Sequence, residues 1–492
     1  MNKNFSQFVM LLIGVSAYDV FFWQEKFGLN CLLFSAIMIS YSFIADQKLK
    51  CSKPAVLTAF GTILTAILIV VNNSLFSKTI HILSFISFIG FSKVKALRFI
   101  WFSIAVALLS VIKTPLKIFQ NTFLLKGKKH SASTVLKTIQ LSLIPFLVLI
   151  LFYFIYYSGN SNFSQISDSF WSKAITWFQW DISFGKFLFI INGLLLSGVV
   201  VYHFDFPIFK KLQYNLTENL VRKHKNRPPI LKATMALKQE YQIAFITFVA
   251  LNLLLLFVNF IDIAYVWFGY DDSIMQTQKA QYVHDGTYIL IFSILMAMSV
   301  LLIFFRKNLN FYPKSYPLKA AAFLWIIQNG ILGISLLIRN FRYIDYHGLA
   351  YKRIGVLIFL VMVFIGLLTM FYKIKMKKSS YFLWQRNTWA LYFVMIFCCL
   401  INWDILITKF NLNHQTKTEI DFHFLVNEVS DKNLFLLIDY QQNDLTLKNN
   451  KKNIHDLIEK KKQRFIASQQ NYSGFSWNFA DYRNNSYLKN LK

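Results

Sequence analysis

Apolar residues in this chain are gathered into runs of roughly 17 to 25 positions, separated by polar connections. A helix of that length crosses the hydrocarbon core of a bilayer, which is about 30 Å thick. The runs do not alternate between apolar and polar positions, as the strands of a membrane β-barrel do. The pattern therefore predicts an all-α, polytopic bundle of transmembrane helices, with runs at 8–23, 28–45, 54–72, 75–92, 96–112, 136–157, 184–204, 243–268, 287–305, 318–338, 354–372 and 389–408.

Lysine and arginine residues concentrate in particular connections between these runs. Cytoplasmic loops of membrane proteins carry such an excess of cations, so we expect the basic connections and the N-terminus on the cytoplasmic side. The connections 158–183, which is nearly neutral, and 269–285, which is acidic, are then expected outside. The basic connections are 46–53, 93–98, 113–137, 205–242, 306–319 and 373–386.

One run conflicts with this alternation. The connections on both sides of 96–112 are basic, yet a single crossing would place them on opposite sides. Either 96–112 lies in the membrane interface, or the serine-rich run 75–92 fails to span. Omitting one of them leaves about eleven spans, within about 10 to 12, and an external C-terminus.

Composition agrees with a membrane protein. Hydrophobic residues make up 55% of the 492 positions and charged residues 15%, against about 25% charged in soluble domains. The net charge of +29 lies in connections between spans, so we expect no nucleic-acid partner. The chain has no phosphate-binding loop, nucleophile elbow or zinc motif, so a cofactor, a metal site and catalytic residues are not expected and a non-enzymatic role is favoured.

The character of the chain changes near Phe410. Beyond it the sequence is polar, with few large apolar side chains, and a weak core is expected. Ile420 to Val429 and Asn453 to Gln470 read as short helices, and Ser473 to Phe479 as a turn with an aromatic anchor. We therefore divide the chain into a transmembrane bundle, 1–409, and a small helical C-terminal appendage, 410–492.

The connection from Arg339 to Arg353 holds four cations, one acid, one histidine and three tyrosines. Its net charge of +3 departs from the expected sign for an external loop, which indicates local partners, an anionic ligand or contact with lipid headgroups. Arginines can hold a phosphate or carboxylate, and a His–Asp pair can move a proton. The candidate ligand-binding residues expected on this side are Asp262, His284, Asp285, Arg339, Arg342, Tyr346, Arg353 and Asp404.

A purely structural reading stays open, in which the arginines pair with the acids and lock helix ends together. Arg339 and Arg342 share a face of a helix that continues from 318–338, and Gly348 can turn the chain back. We expect the guanidinium groups to converge near Asp262, Asp285 and Asp404, so that Arg342→Ala destabilises the bundle or abolishes function and Lys352→Ala does little.

Several blocks resemble a large bacterial family of polytopic membrane proteins that is catalogued only as a domain of unknown function. These blocks are Gln281 to Ser293, Arg339 to Arg353 with Tyr346-His347-Gly348-Leu349 at its centre, Asn411 to Leu436, and Trp23 to Phe34. The resemblance covers most of the chain. It implies a multi-pass protein of the bacterial inner membrane and no particular activity.

Two functions fit these features. The first is transport or handling of a small anionic or lipid-like ligand, such as a lipid headgroup, through an outward-facing polar site. The second is a non-catalytic membrane scaffold or signalling component that binds other envelope proteins. A cavity beside Gln328 and Asn329 would favour the first, and a solid bundle with paired arginines would favour the second.

The orientation is testable by cysteine labelling in intact cells. The charge asymmetry places 205–242 in the cytoplasm and the C-terminus outside, so an impermeant thiol reagent should label a cysteine at position 470 and spare one at position 225. Permeabilised cells, in which both positions react, are the control. Labelling at 225 with protection at 470 would reverse the orientation.

Overall fold

The chain is described by a computed structural model for residues 3–123, 145, 148–149, 152–178, 183–222, 237–268, 280–305, 308–413, 420–443, 452–469 and 472–490. These residues form helices joined by short connections, and the β-pairing among them is an isolated bridge between Asn219 and Lys378. The all-α class is therefore confirmed.

The helices are α1 Lys3–Phe22, α2 Leu29–Ala45, α3 Lys53–Asn72, α4 Leu75–Lys93, α5 Ile100–Phe123, α6 Ser161–Phe178, α7 Phe184–Val201, α8 Pro207–Asn215, α9 Leu237–Asp262, α10 Ala280–Phe304, α11 Tyr316–His347, α12 Tyr351–Lys375, α13 Ser380–Cys399, α14 Trp403–Asn413, α15 Leu434–Asn443, α16 Lys452–Gln469 and α17 Phe479–Asn490.

Many of these helices are long and apolar enough to cross a membrane. Within the described ranges there are 8 such helices, or 9 if α13 and α14, which are bent by 60° at their junction, form one broken span. The apolar helices Leu29–Ala45 and Ile289–Phe304 are shorter. The chain is thus a multi-pass membrane protein.

Some boundaries differ from those that hydropathy suggested. The run 389–408 is not one straight helix, because the chain bends between α13 and α14 inside it. The surface helix expected near 208–224 is only α8, nine residues long. Most of the run 136–157 lies outside the described residues.

The chain divides into two units. Unit 1 comprises Met1–Leu97, Trp101–Lys210 and Asn471–Phe479, and unit 2 comprises Arg98–Ile100, Lys211–Gln470 and Ala480–Lys492. Each unit therefore draws on separate parts of the sequence.

In unit 1, α1 and α7 pack in opposite directions through small residues. A Cβ added at Gly14 would lie 2.7 Å from Ser197 Oγ, and one at Gly193 would lie 2.6 Å from the Tyr18 ring. The contact positions increase in number along α1 and decrease along α7, so the two helices are antiparallel. Glycine at the contact lets two backbones approach closely, as is usual between helices in lipid.

The loop between α1 and α2 is built around Asn30, which is fully buried. Its amide donates to Phe21 O and Lys26 O, both at 2.8 Å, and its oxygen accepts from Gly28 N at 2.8 Å. The loop holds the segment 472–479, because Leu29 N donates to Trp477 O at 3.0 Å. The expected aromatic anchor therefore lies on this loop.

The ends of α4 and α7 lie side by side. The Lys93 side chain is 7% exposed and its Nζ donates to Val200 O and Tyr202 O, each at 2.8 Å. A buried ammonium at a helix C-terminus satisfies carbonyls that have no partner within the helix. These two bonds hold the C-terminal ends of α4 and α7 next to each other.

Helix α5 runs across these ends. A Cβ at Gly90, one turn before the end of α4, would lie 1.8 Å from Ser103 O. A Cβ at Gly198, one turn before the end of α7, would lie 2.5 Å from the Thr114 methyl group. Ser103 and Thr114 are about 16 Å apart along α5, yet both meet a neighbour's last turn. Although its length and apolarity would suit a span, we therefore predict that α5, which contains most of 96–112, lies along the interface.

In unit 2, α9 and α11 pack in the same direction. Asn252 Nδ2 donates to Ala321 O at 2.9 Å, and Asn259 Nδ2 donates to Gln328 O at 3.0 Å. Both bonds join residues separated by 69 positions. A constant offset means that the two helices rise together, so their C-terminal ends lie at the same end of unit 2.

The connection between α11 and α12 is far shorter than the sequence suggested. Helix α11 continues to His347, and three residues lead to α12 at Tyr351. Gly348 makes the turn with φ +82°, a left-handed conformation that glycine adopts at low cost. The Asn411 side chain from α14 holds the turn, because it accepts from Leu349 N at 2.6 Å and donates to Leu349 O at 2.9 Å.

The polar C-terminal segment shares a hydrophobic core with the ends of the membrane helices. Its buried side chains include Leu425 in a π-helical turn, Phe424–Glu428, and Phe465 on the apolar stripe of α16. They pack with Ile344 at the end of α11 and Ile407 of α14. The segment is thus better buried than its composition predicts.

The position of α5 is testable with nitroxide labels on its exposed face. Labels at Trp101, Leu108 and Ile112, which are 53%, 55% and 47% exposed, should report one immersion depth if α5 lies in the interface. Labels at Val361 and Leu368 on α12 are the control and should differ by about 10 Å. A depth change of about 16 Å between positions 101 and 112 would show that α5 spans.

Candidate functional site

The candidate residues gather where several helices of unit 2 end, a region we call the Asp262 end. Helices α9 and α11 finish there, and α12 starts there after the turn at Gly348. Helix α14 begins at the same end, since Tyr351 of α12 donates a hydrogen bond to Asp404 of α14. The region therefore holds Asp262, Arg339, Arg342, Tyr346, Arg353 and Asp404.

Arg339 pairs with Asp262. Arg339 Nη2 lies 2.5 Å from Asp262 Oδ1, and the Asp262 side chain is 8% exposed against 30% for Arg339. A carboxylate buried to this degree is stable only if its charge is compensated. The pair therefore ties the end of α9 to the last turns of α11.

The other two arginines bind backbone carbonyls. Arg342 Nη2 donates to Trp267 O at 3.4 Å. Arg353 Nη1 donates to His347 O at 3.0 Å and to Gly348 O, so it closes the carbonyl end of α11. The Arg353 guanidinium also lies 4.6 Å from the centre of the Tyr343 ring, a cation–π distance.

An aromatic cluster surrounds the end of α11. The His347 ring centre is 4.6 Å from that of Tyr343 and 4.7 Å from that of Tyr346. Tyr346 is half-buried at this position. The cluster packs the last turn of α11 against the guanidinium of Arg353. The Tyr346 ring therefore packs against His347 within this cluster.

Asp404 belongs to a hydrogen-bonded network. Its carboxylate accepts from Tyr351 Oη and Ser430 Oγ. Its backbone carbonyl accepts from Thr408 Oγ1, which in turn accepts from Asn433 Nδ2, each at 2.8 Å. The network joins the membrane helices α12 and α14 to the C-terminal segment.

Lys461 of α16 completes the same region. Its side chain is fully buried and its Nζ donates to Leu425 O at 3.1 Å and Val429 O at 2.9 Å. Burial lowers the pKa of Lys461 to about 8, while Asp431 and Asp404 oppose that shift. The lysine supplies donors to the π-helical turn, whose carbonyls lack ordinary helical partners.

We expected three guanidinium groups to converge on three aspartates. Among the described residues, one such arginine–aspartate pair is present. Arg339 meets Asp262, whereas Arg342 and Arg353 donate to carbonyls and Asp404 accepts from hydroxyl groups. His284 and Asp285 fall in the first turns of α10, and their side chains lie outside the described residues. Among the described residues, no cluster of three or more histidine, cysteine or acidic side chains could hold a metal ion.

A cleft of about 470 Å³ opens at the Asp262 end. Its walls come from the last turns of α11, the start of α12 and the end of α14, and they are mainly apolar. Arg342 and Asp345 supply its charged groups. The lining residues are Phe341, Arg342, Ile344, Asp345, Leu349, Leu357 and Phe410.

Sequence reasoning missed several polar residues that the structure brings together. Asn252 and Asn259 lie seven positions apart within an apolar run, and both are buried against α11. That spacing returns to the same helix face, so two amides in one span were a detectable signal. Ser430 and Lys461 could not be found this way, because their partners are distant in sequence.

The pair between Arg339 and Asp262 makes Arg339 the arginine whose removal should cost most. Arg339→Ala strands a buried carboxylate, and we expect it to lower the free energy of unfolding by about 3 kcal/mol. Arg342→Ala, named above on sequence grounds, should cost less, because Arg339 compensates a buried carboxylate whereas Arg342 Nη2 donates to a backbone carbonyl. Thermal unfolding in detergent measures both, with Lys352→Ala as control. The double variant Asp262→Ala with Arg339→Ala should recover part of the loss; additive losses would exclude coupling.

Comparison with known proteins gives a family assignment. The model of a protein family described as "Domain of unknown function (DUF4153)" matches residues 12–440. No curated protein and no solved structure matches the chain. The match covers the membrane helices of both units and the first part of the C-terminal segment. Since it extends over most of the chain, this protein belongs to the DUF4153 family.

Proposed function

We propose that this multi-pass membrane protein binds an anionic, lipid-like molecule at the Asp262 end of unit 2. The observation that carries the proposal is the cleft of about 470 Å³, which Arg342 lines together with mainly apolar walls. Transport or transfer of such a molecule through an outward-facing site is the function this arrangement supports best.

The chemistry of the cleft suits a molecule with one charged and one apolar part. Phe341, which is 51% exposed, and Leu357 offer apolar surface for a hydrocarbon chain. Burying such surface contributes about 25 cal/mol per Å². The anionic headgroup of such a molecule would lie at Arg342, whose fork of N–H donors matches a phosphate.

The surroundings favour an anion at Arg342 over a cation. Arg353 adds positive charge at the start of α12, whereas Asp262 is already compensated by Arg339. The negative charge of Asp345, which also lines the cleft, leaves only a modest excess of positive charge there. This balance fits a singly charged phosphate diester better than a highly charged ligand.

The location in the cell is part of the proposal. The basic connections favour a cytoplasmic N-terminus and an external C-terminus in a bacterial inner membrane. The Asp262 end would then face outward, and its ligand would come from the outer leaflet or the space beyond it.

A second candidate is a non-catalytic scaffold or signalling component that binds other envelope proteins. The observation that favours it is the internal pairing of polar groups in unit 2: Arg339 is paired, and Gln328 and Asn329 are 4% and 2% exposed. A bundle locked in this way would support a binding surface without moving a ligand.

Lipid binding is testable with the full chain in detergent, titrated with phosphatidylglycerol and with phosphatidylcholine and followed by native mass spectrometry. We expect a preference for the anionic lipid that Arg342→Gln weakens roughly tenfold, since a charge-assisted bond is lost. Leu357→Trp should reduce binding of both lipids by filling the cleft. Lys352→Gln, which removes an exposed charge outside the cleft, is the matched control.

Inorganic phosphate distinguishes a lipid from a free anion. Competition by millimolar phosphate with full loss of lipid binding would show that the headgroup alone is recognised. Equal retention of both lipids by all variants would rule out a lipid site in this cleft and favour the scaffold.

A further inference from the structure

A line of buried polar side chains runs between α9 and α11, deeper in unit 2 than the cleft. Helix α9 contributes Asn252, Asn259 and Asp262, which are 6%, 3% and 6% exposed. Helix α11 contributes Gln328 and, nearer the Asp262 end, Arg339. We call this line the amide seam; it comprises Asn252, Asn259, Asp262, Trp325, Gln328 and Arg339.

Part of the hydrogen-bonding capacity of the seam is used within the protein. Gln328 Nε2 donates to Asn252 Oδ1 at 3.2 Å, and Asn259 Nδ2 donates to Gln328 O at 3.0 Å. These bonds fix the rotation of the two amides. The parallel packing of α9 and α11 then places their remaining atoms between the helices.

Five atoms of the seam make no hydrogen bond with any described residue, although they are buried. Three are acceptors: Asn259 Oδ1, Gln328 Oε1 and Asp262 Oδ2. Two are donors: Trp325 Nε1 and Arg339 Nε. Each buried polar atom without a partner costs roughly 1 to 3 kcal/mol. Five on one interface would cost on the order of the whole stability of a typical domain, so the seam needs a partner.

The chemistry of these atoms selects the partner. The Arg339 guanidinium, 2.5 Å from Asp262 Oδ1, would repel a metal cation placed on Asp262 Oδ2. The three oxygen atoms would repel an anion. A neutral molecule that both donates and accepts fits all five atoms, and water is the smallest such molecule.

We propose that the amide seam binds a file of internal water molecules that enters at the Asp262 end and runs inward past Asp262 to Asn252. Water at the outer end donates to Asp262 Oδ2 and accepts from Arg339 Nε. Water deeper in the seam donates to Asn259 Oδ1 and Gln328 Oε1 and accepts from Trp325 Nε1.

The backbone next to Asp262 is irregular. A π-helical segment, Ile263–Phe268, follows α9 directly. Such segments are rare and occur frequently at functional sites, because they displace carbonyls from the regular helical bonding pattern. Here the irregularity lies at the mouth of the seam, where Trp267 Nε1 donates to Ser335 Oγ at 2.9 Å.

The opposite end of the seam is closed by apolar side chains. Phe248 lies one turn before Asn252 and is fully buried; its ring centre is 5.7 Å from Phe304 and 6.1 Å from Phe305. Leu318 and Ala322 of α11 are fully buried in the same core. Water in the seam therefore stops at Asn252, so the seam is a half-channel open toward one end only.

The seam is independent of lipid binding in the cleft. The cleft is lined by residues beyond Arg339 on α11, whereas the seam lies before them. Loss of lipid binding by Arg342→Gln would leave the hydration of the seam unchanged. Each proposal can therefore fail alone.

Hydration is tested by hydrogen–deuterium exchange of the Trp325 indole, in full-length protein in nanodiscs. The signal is assigned by its absence in Trp325→Phe. We expect exchange in the wild type, and exchange roughly tenfold slower in the Asn259→Leu, Gln328→Leu double variant, which removes two water-binding groups. Thr388→Val, in which a threonine on α13 loses its bond to Trp384 O, is the matched control and should not change the rate.

Two outcomes would overturn the proposal. A Trp325 indole that never exchanges in the wild type would show a dry seam. Equal exchange rates in the wild type and in the double variant would overturn the assigned path of the water.

Discussion

The structure depends on one constraint: a polar group inside an apolar bundle must find its partner within the protein. Three buried lysines show the consequence, because each donates to backbone carbonyls where another helical segment ends. Lys93 binds carbonyls at the end of α7, Lys373 binds Phe305 O just after α10, and Lys461 binds the π-helical turn before α15. A buried ammonium group, which would be costly without hydrogen-bond partners, thus links two helical segments.

The same constraint separates structural polar groups from functional candidates. Arg353, Asn30 and Asn411 bond backbone groups and shape turns, so their polarity is explained by the fold. The amide seam is different, because its atoms exceed the partners that the described residues provide. The lipid-binding and hydration proposals therefore rest on an apolar cleft lined by Arg342 and on surplus polar atoms, and not on the number of charges at the Asp262 end.

The two candidate functions make different use of the Arg339–Asp262 pair. In a scaffold the pair is a permanent lock between α9 and α11. In a protein that handles a ligand, the pair is a contact that opens and closes. Because the seam lies on one side of the pair and the cleft lies beyond Arg339, breaking the pair would alter both.

The sequence by itself determined the helical class, the multi-pass character and many helix positions, because hydropathy and helical period are local properties. It also anticipated the turn at Gly348 and the helix over 453–470, which depend on neighbouring residues. It did not show the 60° bend within 389–408, since the two arms together are apolar enough to pass for one span. Only the tertiary structure decided that Arg339 meets Asp262, that α5 crosses the ends of α4 and α7, and that Asn259 faces Gln328. These partners lie tens of residues apart, and their meeting is set by the direction and register of packed helices, which no local pattern encodes.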